Sequence, residues 1–246
     1  MDNEYRTLVV IPVINELENL KILLPKIFAS LDDISVLIVD DNSNDGTRQY
    51  LQSLSIKHLF VISREKRYGI GSAHVLGLRF SKENDFSFAI TMDGDQTHEP
   101  KYIPRIVAVL VTNELDLVLT SRFIGENGIE AWNLLRKILT RLGHTLTMFF
   151  LKTSKDLTSG MRGYRVSSVD LQMLDWLINS HYEFLPKSFY YYKKRKARID
   201  QIAIILPKRA YGSSKNNLKL MSKNAIAILF TSVQYYYHFR RNKNDS

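Results

Sequence analysis

The chain has 246 residues, 45% hydrophobic and 24% charged, which excludes a wholly disordered or collagen-like polymer and supports a sizeable core. It contains no cysteine, so disulfide scaffolds, thiolate zinc sites and cysteine nucleophiles are removed together, in keeping with a reducing cytosol. The net charge of +9 is placed unevenly: Pro186 onward carries 14 Lys/Arg against 2 Asp/Glu, while residues 1–185 carry 20 against 23, a near-neutral body with a basic end suited to something anionic.

The predicted elements alternate. Thr7–Val13, Val36–Val39, His58–Ile62, Phe86–Met92 and Asp116–Thr120 read as strands, several of them apolar enough to be covered on both faces. Between them, Leu17–Ala29, Thr47–Leu54, Ser72–Phe80 and Pro104–Val111 carry apolar residues at helical spacing. Strand–helix alternation predicts an α/β fold with a mostly parallel sheet flanked by helices. Beyond Ser121 the pattern changes: residues 125–128 are a loop, and Trp132–Leu151 is a long helix. Gly160–Val166 and Ile199–Leu206 are further strands, and Asn216–Phe239 is a terminal helix. The expected division is a catalytic domain over 1–215 and a helical, basic appendage over 216–246.

No targeting segment is visible, since Met1–Arg6 is polar and acidic and Leu8–Ile14 is too short for a signal peptide. The longest apolar stretch, Ala225–Phe239, is broken by Thr231, Ser232 and Gln234; a bilayer crossing needs about 20 apolar residues, so this stretch does not span.

In parallel sheets ligands bind beyond the carboxyl ends of the strands, and here those ends are rich in acidic and small polar residues. The first strand leads to Asn15-Glu16, the second to Asp40-Asp41-Asn42-Ser43, with Asp45-Gly46-Thr47 entering the next helix, and the fourth to Asp93-Gly94-Asp95-Gln96. Asp93 and Asp95 project from one side of an extended segment, and Gly94 lets a ligand approach the backbone. An oxygen-only donor pair of this kind suits Mg²⁺ or Mn²⁺. The alternatives stay open: Asp-Gly-Asp is also a turn sequence, and Asp45 or Ser43 can cap a helix while Asp41 is merely solvated.

In their order the motifs resemble glycosyltransferase family 2, and within it the dolichyl- or polyprenyl-phosphate mannose synthase group. The stretch from Ile11 to Leu20 (IPVINELENL) is similar to the group's Pro-x-Tyr-Asn-Glu-x-Glu-Asn opening. Val39–Thr47 (VDDNSNDGT) resembles its nucleotide-binding Val-Asp-Asp-x-Ser-x-Asp-Gly-Thr, Gly69–Ala73 its Gly-Leu-Gly-x-Ala turn, and Met92–Pro100 its Met-Asp-x-Asp-x-x-His-x-Pro metal-binding segment. Ser121-Arg122, Asp156–Gly160 and Arg209–Lys215 follow in register. The chain departs at Ile14, where the group has Tyr, and at Gln201 and Ala203, where it often has Glu and Pro.

The resemblance implies a nucleotide-sugar-binding fold of the GT-A type and a metal-dependent, inverting transfer of a hexose to a polyprenyl or dolichyl monophosphate, with GDP-mannose as the expected donor. By the same resemblance, Pro12, Ile14, Glu16, Val39 and Asp41 line the nucleotide pocket, with Asp93 and Gln96. Asp93, Asp95 and Gln96 hold the divalent ion (Mg²⁺ or Mn²⁺). Asp93, Asp95, Arg122 and Arg209 are the catalytic set. Arg122, Arg136, Thr140, Arg209 and Lys215 meet the acceptor phosphate, Thr140 one helical turn beyond Arg136. His98 and His144 read as structural, and Asp156 as an orienting acid. A lipid monophosphate is already largely ionised at pH 7, its second pKa being near 6, so no general base is assigned.

The tail joins tyrosines to cations at Tyr190–Lys196 and again at Tyr235–Arg241, a combination that suits a membrane interface. The expected setting is the cytoplasmic face, with peripheral attachment through an interfacial helix and room for a membrane-spanning partner subunit. Core packing of the tyrosines is the alternative, and nucleic acid is not an expected partner, because the acidic strand ends repel its phosphates. The rival functions are a family member using UDP-glucose or UDP-N-acetylglucosamine or a glycan hydroxyl acceptor, and a non-catalytic nucleic-acid or lipid-binding protein.

Overall fold

The computed structural model describes residues 5–124, 153–181 and 183–207, together with Lys137, Ile138, Arg141, Leu142, His144, Thr145, Met148 and Phe149. Its frame is one seven-stranded sheet in the order β3-β2-β1-β4-β6-β5-β7. The strands are β1 Thr7–Val13, β2 Ile34–Asp40, β3 Leu59–Ser63, β4 Phe88–Thr91, β5 Leu117–Ser121, β6 Arg162–Arg165 and β7 Ile199–Ala203. Helices α1 Leu17–Phe28, α2 Thr47–Ser53, α3 Ile70–Glu83 and α4 Ile103–Thr112 alternate with the first five strands, and α5 Leu171–Leu177 and α6 Phe184–Lys194 precede β7. All pairings are parallel except those of β6, which runs antiparallel to both β4 and β5.

Alternation along the strands explains why both faces are dry. Leu8, Val10, Leu37 and Val39 point toward α3, α5 and α6, while Val9, Ile11, Val36 and Ile38 point toward α1 and α4; each set is buried in its own apolar cluster. Pro12 is tolerated because β4 pairs with β1 only as far as Val10, so the missing N–H falls beyond the ladder on that side.

Pairing trims or shifts most predicted ends by one to three residues. β4 loses Phe86, Ser87 and Met92 from the predicted span, and β2 gains Ile34 and Ser35. The described residues between 137 and 149 are helical, as predicted for Trp132–Leu151. The predicted helix over Asn216–Phe239 lies outside the described residues.

The interfacial reading of Tyr190–Lys196 is overturned. These residues belong to α6 and the turn that follows it; Tyr190 and Tyr192 are buried, and the Tyr191 hydroxyl donates to Asp170 Oδ2 (2.6 Å). Their rings fill the core and are not presented to a membrane. Among the described residues no helix is long and apolar enough to cross one.

Candidate active site

At the carboxyl end of β1, β2 and β4 the chain reverses through a residue in the left-handed region: Asn15 (φ 54°), Asn42 (φ 63°) and Gln96 (φ 63°). Asn tolerates this conformation, but for Gln it is an uncommon one, of the kind that collects at functional sites. These turns bring the three acidic clusters to one rim.

The first two clusters tie to each other. The Asn15 amide donates to Ser43 Oγ (2.8 Å), and the Asn44 amide donates to Asn15 Oδ1 (2.8 Å). The amide groups at the start of α1 have no partners within the helix, and the neighbouring loop supplies them. Leu17 N–H donates to Asp45 Oδ2 (3.1 Å) and Glu16 N–H to Thr47 Oγ1 (3.2 Å). Asp45 also accepts from the Thr47 amide (3.0 Å) and hydroxyl (2.6 Å). Burial pushes its carboxyl up, but these hydrogen bonds outweigh burial and hold it below its ordinary value. Asp45 is therefore taken up by the amides that open α1 and α2, although it is not itself the N-cap residue of either helix.

Asp40 is fully buried; it accepts from the Ser43 amide (3.1 Å) and hydroxyl (2.5 Å), and its other oxygen lies 3.5 Å from Arg48 Nε. Asp41 is not solvated: it is buried, pairs with Arg64, and accepts the Gly69 amide (2.9 Å) at the head of α3. Arg64 also donates to Ser72 Oγ (2.5 Å), so the carboxylate that the resemblance places in the nucleotide pocket is braced by β3 and α3. Pro12 and Ile14 are half-buried, and Glu16 is buried. Val39 lies wholly in the core with its side chain away from any ligand, so only its backbone can take part.

The third cluster rests on β1. A Cβ at Gly94 would lie 3.0 Å from Val13 Cγ1 and 3.3 Å from Ile11 Cγ2. The Asp93 amide donates to His98 Nδ1 (2.9 Å), which makes that buried ring nitrogen an acceptor and His98 a structural support. The Asp93 carboxylate stands about a third exposed (34%). Asp95 Oδ1 accepts from the Thr97 amide (3.1 Å) and hydroxyl (2.6 Å), closing the turn. Gln96 Nε2 donates to Asn19 Oδ1 (2.9 Å), and Asn19 donates to Glu16 Oε2 (2.6 Å), which links the loop after β4 to the first turn of α1.

A fourth segment meets the rim from β6. Arg122, mostly buried, donates to Thr158 Oγ1, lies 3.6 Å from Asp156 Oδ2 and stacks over Phe123, which itself stacks on the buried His144 (4.0 Å). Asp156 in turn accepts from the Thr158 amide (2.9 Å) and hydroxyl (2.7 Å). Gln201 on β7 accepts the Asp156 amide through Oε1 (3.0 Å) and donates to the Ser154 carbonyl through Nε2 (3.4 Å), a double role that the group's usual carboxylate could not fill. Two residues beyond Thr158, a Cβ at Gly160 would stand 3.2 Å from Asp93 Oδ1, so this segment abuts the acidic loop.

The structure thus brings Pro12, Ile14, Glu16, Asp41, Asp93, Asp95, Gln96 and Arg122 to one end of the sheet. Arg136, Thr140, Arg209 and Lys215 lie outside the described residues. Among the described residues no three acidic or histidine side chains gather as a ready-made cation cage. The pair Asp93 and Asp95 still fits a hard cation that takes its remaining ligands from phosphate oxygens and water. Arg64 was not singled out from the sequence; its one signal is its place directly after β3.

Residues 8–171 match the family model described as glycosyl transferase family 2. An undecaprenyl-phosphate mannosyltransferase of Micrococcus luteus is 29% identical over 213 residues, covering 85% of this chain and 87% of that protein. A polyprenol monophosphomannose synthase of Mycolicibacterium smegmatis is 30% identical over 177 residues, 69% of this chain and 66% of that protein. The glucosyl-3-phosphoglycerate synthase of Mycobacterium tuberculosis, solved with Mn²⁺, UDP-glucose and phosphoglyceric acid, superposes with a TM-score of 0.65 at 20% identity, over 94% of this chain and 80% of that one, and shares the fold.

Proposed function

The chain belongs to glycosyltransferase family 2 and is a sugar-transferring enzyme, and from that premise we propose that it moves a hexose, mannose from GDP-mannose, to a polyprenyl or dolichyl monophosphate at the cytoplasmic face of a membrane. The observation that carries the reading is that segment 156–160, which accepts from Arg122 at Thr158, abuts the Asp93 carboxylate at Gly160, where an added Cβ would stand 3.2 Å from Asp93 Oδ1. A cation and an acidic pair at one rim are what a reaction between two anions needs.

The chemistry follows from the acceptor. One phosphate oxygen attacks C1 of the hexose, the bond from C1 to the diphosphate oxygen breaks, and the nucleoside diphosphate leaves with the electron pair. A single displacement inverts C1. The acceptor oxygen is already ionised at neutral pH, so no side chain needs to take a proton, and the protein's work is positioning. Arg122 orients the acceptor phosphate, with Arg136, Thr140, Arg209 and Lys215 as further candidates on that side. Pro12, Ile14, Glu16 and Asp41 receive the nucleoside. Asp93 and Asp95, with Gln96 beside them, would hold a divalent cation, which lends Lewis-acid help to the departing diphosphate. The curated relatives are named for transfer to undecaprenyl phosphate and for polyprenol monophosphomannose synthesis, and a structural neighbour was solved with Mn²⁺; both support this reading.

The test is a transfer assay with membranes and the full chain, offering radiolabelled GDP-mannose, UDP-glucose and UDP-N-acetylglucosamine separately. Label from GDP-mannose alone enters the polyprenyl-phosphate fraction if the reading holds. Label reaching a glycan but no lipid, or label only from a UDP-sugar, overturns it.

A further inference from the structure

Arg162 is the largest fully enclosed side chain among the described residues, and none of the described carboxylates pairs with it. Its guanidinium instead meets neutral acceptors. Nη2 donates to the Leu157 carbonyl (2.8 Å), Nε to the Ser159 carbonyl (3.1 Å), and Nη1 to the Leu185 carbonyl (2.7 Å) and Ser188 Oγ (3.1 Å). Asp156 acts on this cation only from beyond ion-pairing distance, so its burial is expensive, and an apolar side chain would fill the same space without that cost. What the fork alone provides is a rigid set of donors that joins segment 157–159 to the first turns of α6.

That segment is the one on which the site converges. Thr158 accepts from Arg122, and Gly160 backs the Asp93 carboxylate while its carbonyl accepts from the Thr91 hydroxyl (2.8 Å). The Thr120 hydroxyl anchors the same stretch through Ser159 Oγ (2.6 Å) and the Met161 carbonyl (2.8 Å). We propose that Arg162 is a positioning residue that fixes segment 157–160 against α6 and so sets where the acceptor-side arginine stands relative to the acidic loop. The inference rests on the transfer reaction proposed above. Arg162 touches neither substrate. Lysine would keep the charge but lose the fork, because a single ammonium cannot span the loop carbonyls and α6 together.

The experiment uses the full chain with Arg162→Lys, Ser188→Ala, Thr158→Ala and the double variant R162K/T158A. Cooperative unfolding establishes that each is folded, and hydrogen exchange is read over 156–161 and over β1 and β2. In R162K exchange rises over 156–161 and not over β1 or β2, and kcat falls by about 100-fold, the scale of a misplacement near 1 Å, while the donor KM stays within about threefold. Added to T158A, R162K costs less than about twofold more, because both act through one segment. S188A, which removes one acceptor and no charge, shows the same exchange signature at smaller size and carries the test if R162K does not fold. The inference is overturned if exchange over 156–161 is unchanged, if it rises evenly across the sheet, or if R162K and T158A add independently. The exchange readout does not depend on turnover. A wild-type chain that transfers no sugar to polyprenyl phosphate therefore defeats the function, whereas an unchanged segment 156–161 defeats only the inference.

Discussion

Asp45 fills its carboxylate with protein amides and a hydroxyl, whereas Asp41, four residues earlier, faces Arg64 and the head of α3. The sequence left Asp41 between a place in the nucleotide pocket and mere solvation, and Asp45 as a helix cap; Asp41 is not solvated, and Asp45 is occupied by the amides that open α1 and α2. What sets Asp41 apart is Arg64, which becomes its neighbour only when β3 pairs with β2. His74 shows the same limit. It directly follows the Gly69–Ala73 turn motif, in α3, and is buried against Phe184, with neither ring nitrogen hydrogen-bonded among the described residues. Burial, reinforced by Arg162 and then His98, lowers its pKa from 6.5 to about 3. The folded state thus keeps His74 neutral while the unfolded state takes a proton below pH 6.5, so stability is full above that value and falls as the pH drops toward 3. The slope from this residue is about 1.4 kcal/mol per pH unit. Urea unfolding of wild type and His74→Phe at several pH values between 7 and 5 checks it: the wild type loses stability faster by that slope, and parallel curves would show a solvated histidine.

Among the elements, β1 was legible to the residue, because an apolar run covered on both faces and bounded by polar loops has no competing reading. β4 was overread, since Phe86 and Met92 are apolar and buried yet lie outside the ladder. Helix α6 was hidden. Its Tyr190–Tyr192 triplet beside a basic run imitates an interfacial segment, and Pro186 sits in its first turn, where the missing N–H costs little. The head of α3 offers the element-scale test. A Cβ on Gly71 would fall 2.1 Å from the Ser180 carbonyl and 2.4 Å from the His181 carbonyl, both backbone atoms that cannot swing away. Gly71→Ala should cost about 1–3 kcal/mol by overpacking and should weaken nucleotide binding, because the Gly69 amide that braces Asp41 moves with the helix. Denaturant midpoints with and without GDP measure both effects, and an unchanged midpoint would show that the helix shifts freely.

At the scale of the molecule, β-α alternation reduced the possible topologies to few, and the rule that ligands gather beyond strand carboxyl ends pointed to the rim at which the structure gathers the acidic clusters. Two things were not legible. The antiparallel β6 between β4 and β5 breaks the pattern, and it carries segment 156–160 from far along the chain to the acidic loop. The second is Arg162, a charge that the strand pattern treats as one more residue of Gly160–Val166. Both depend on contacts between residues distant in sequence, which periodicity cannot report.

Under the proposed function, Asp93 and Asp95 hold a nucleoside diphosphate at this rim through a divalent cation. Calorimetric titration of GDP into the purified chain, with Mn²⁺ and with chelator, and into Asp95→Asn under both conditions, tests it most directly. The account predicts binding that needs Mn²⁺ and weakens by at least about tenfold in the variant, or about 1.4 kcal/mol. Equal GDP affinity with and without the metal, or an Asp95→Asn chain that binds as tightly as wild type, would contradict it.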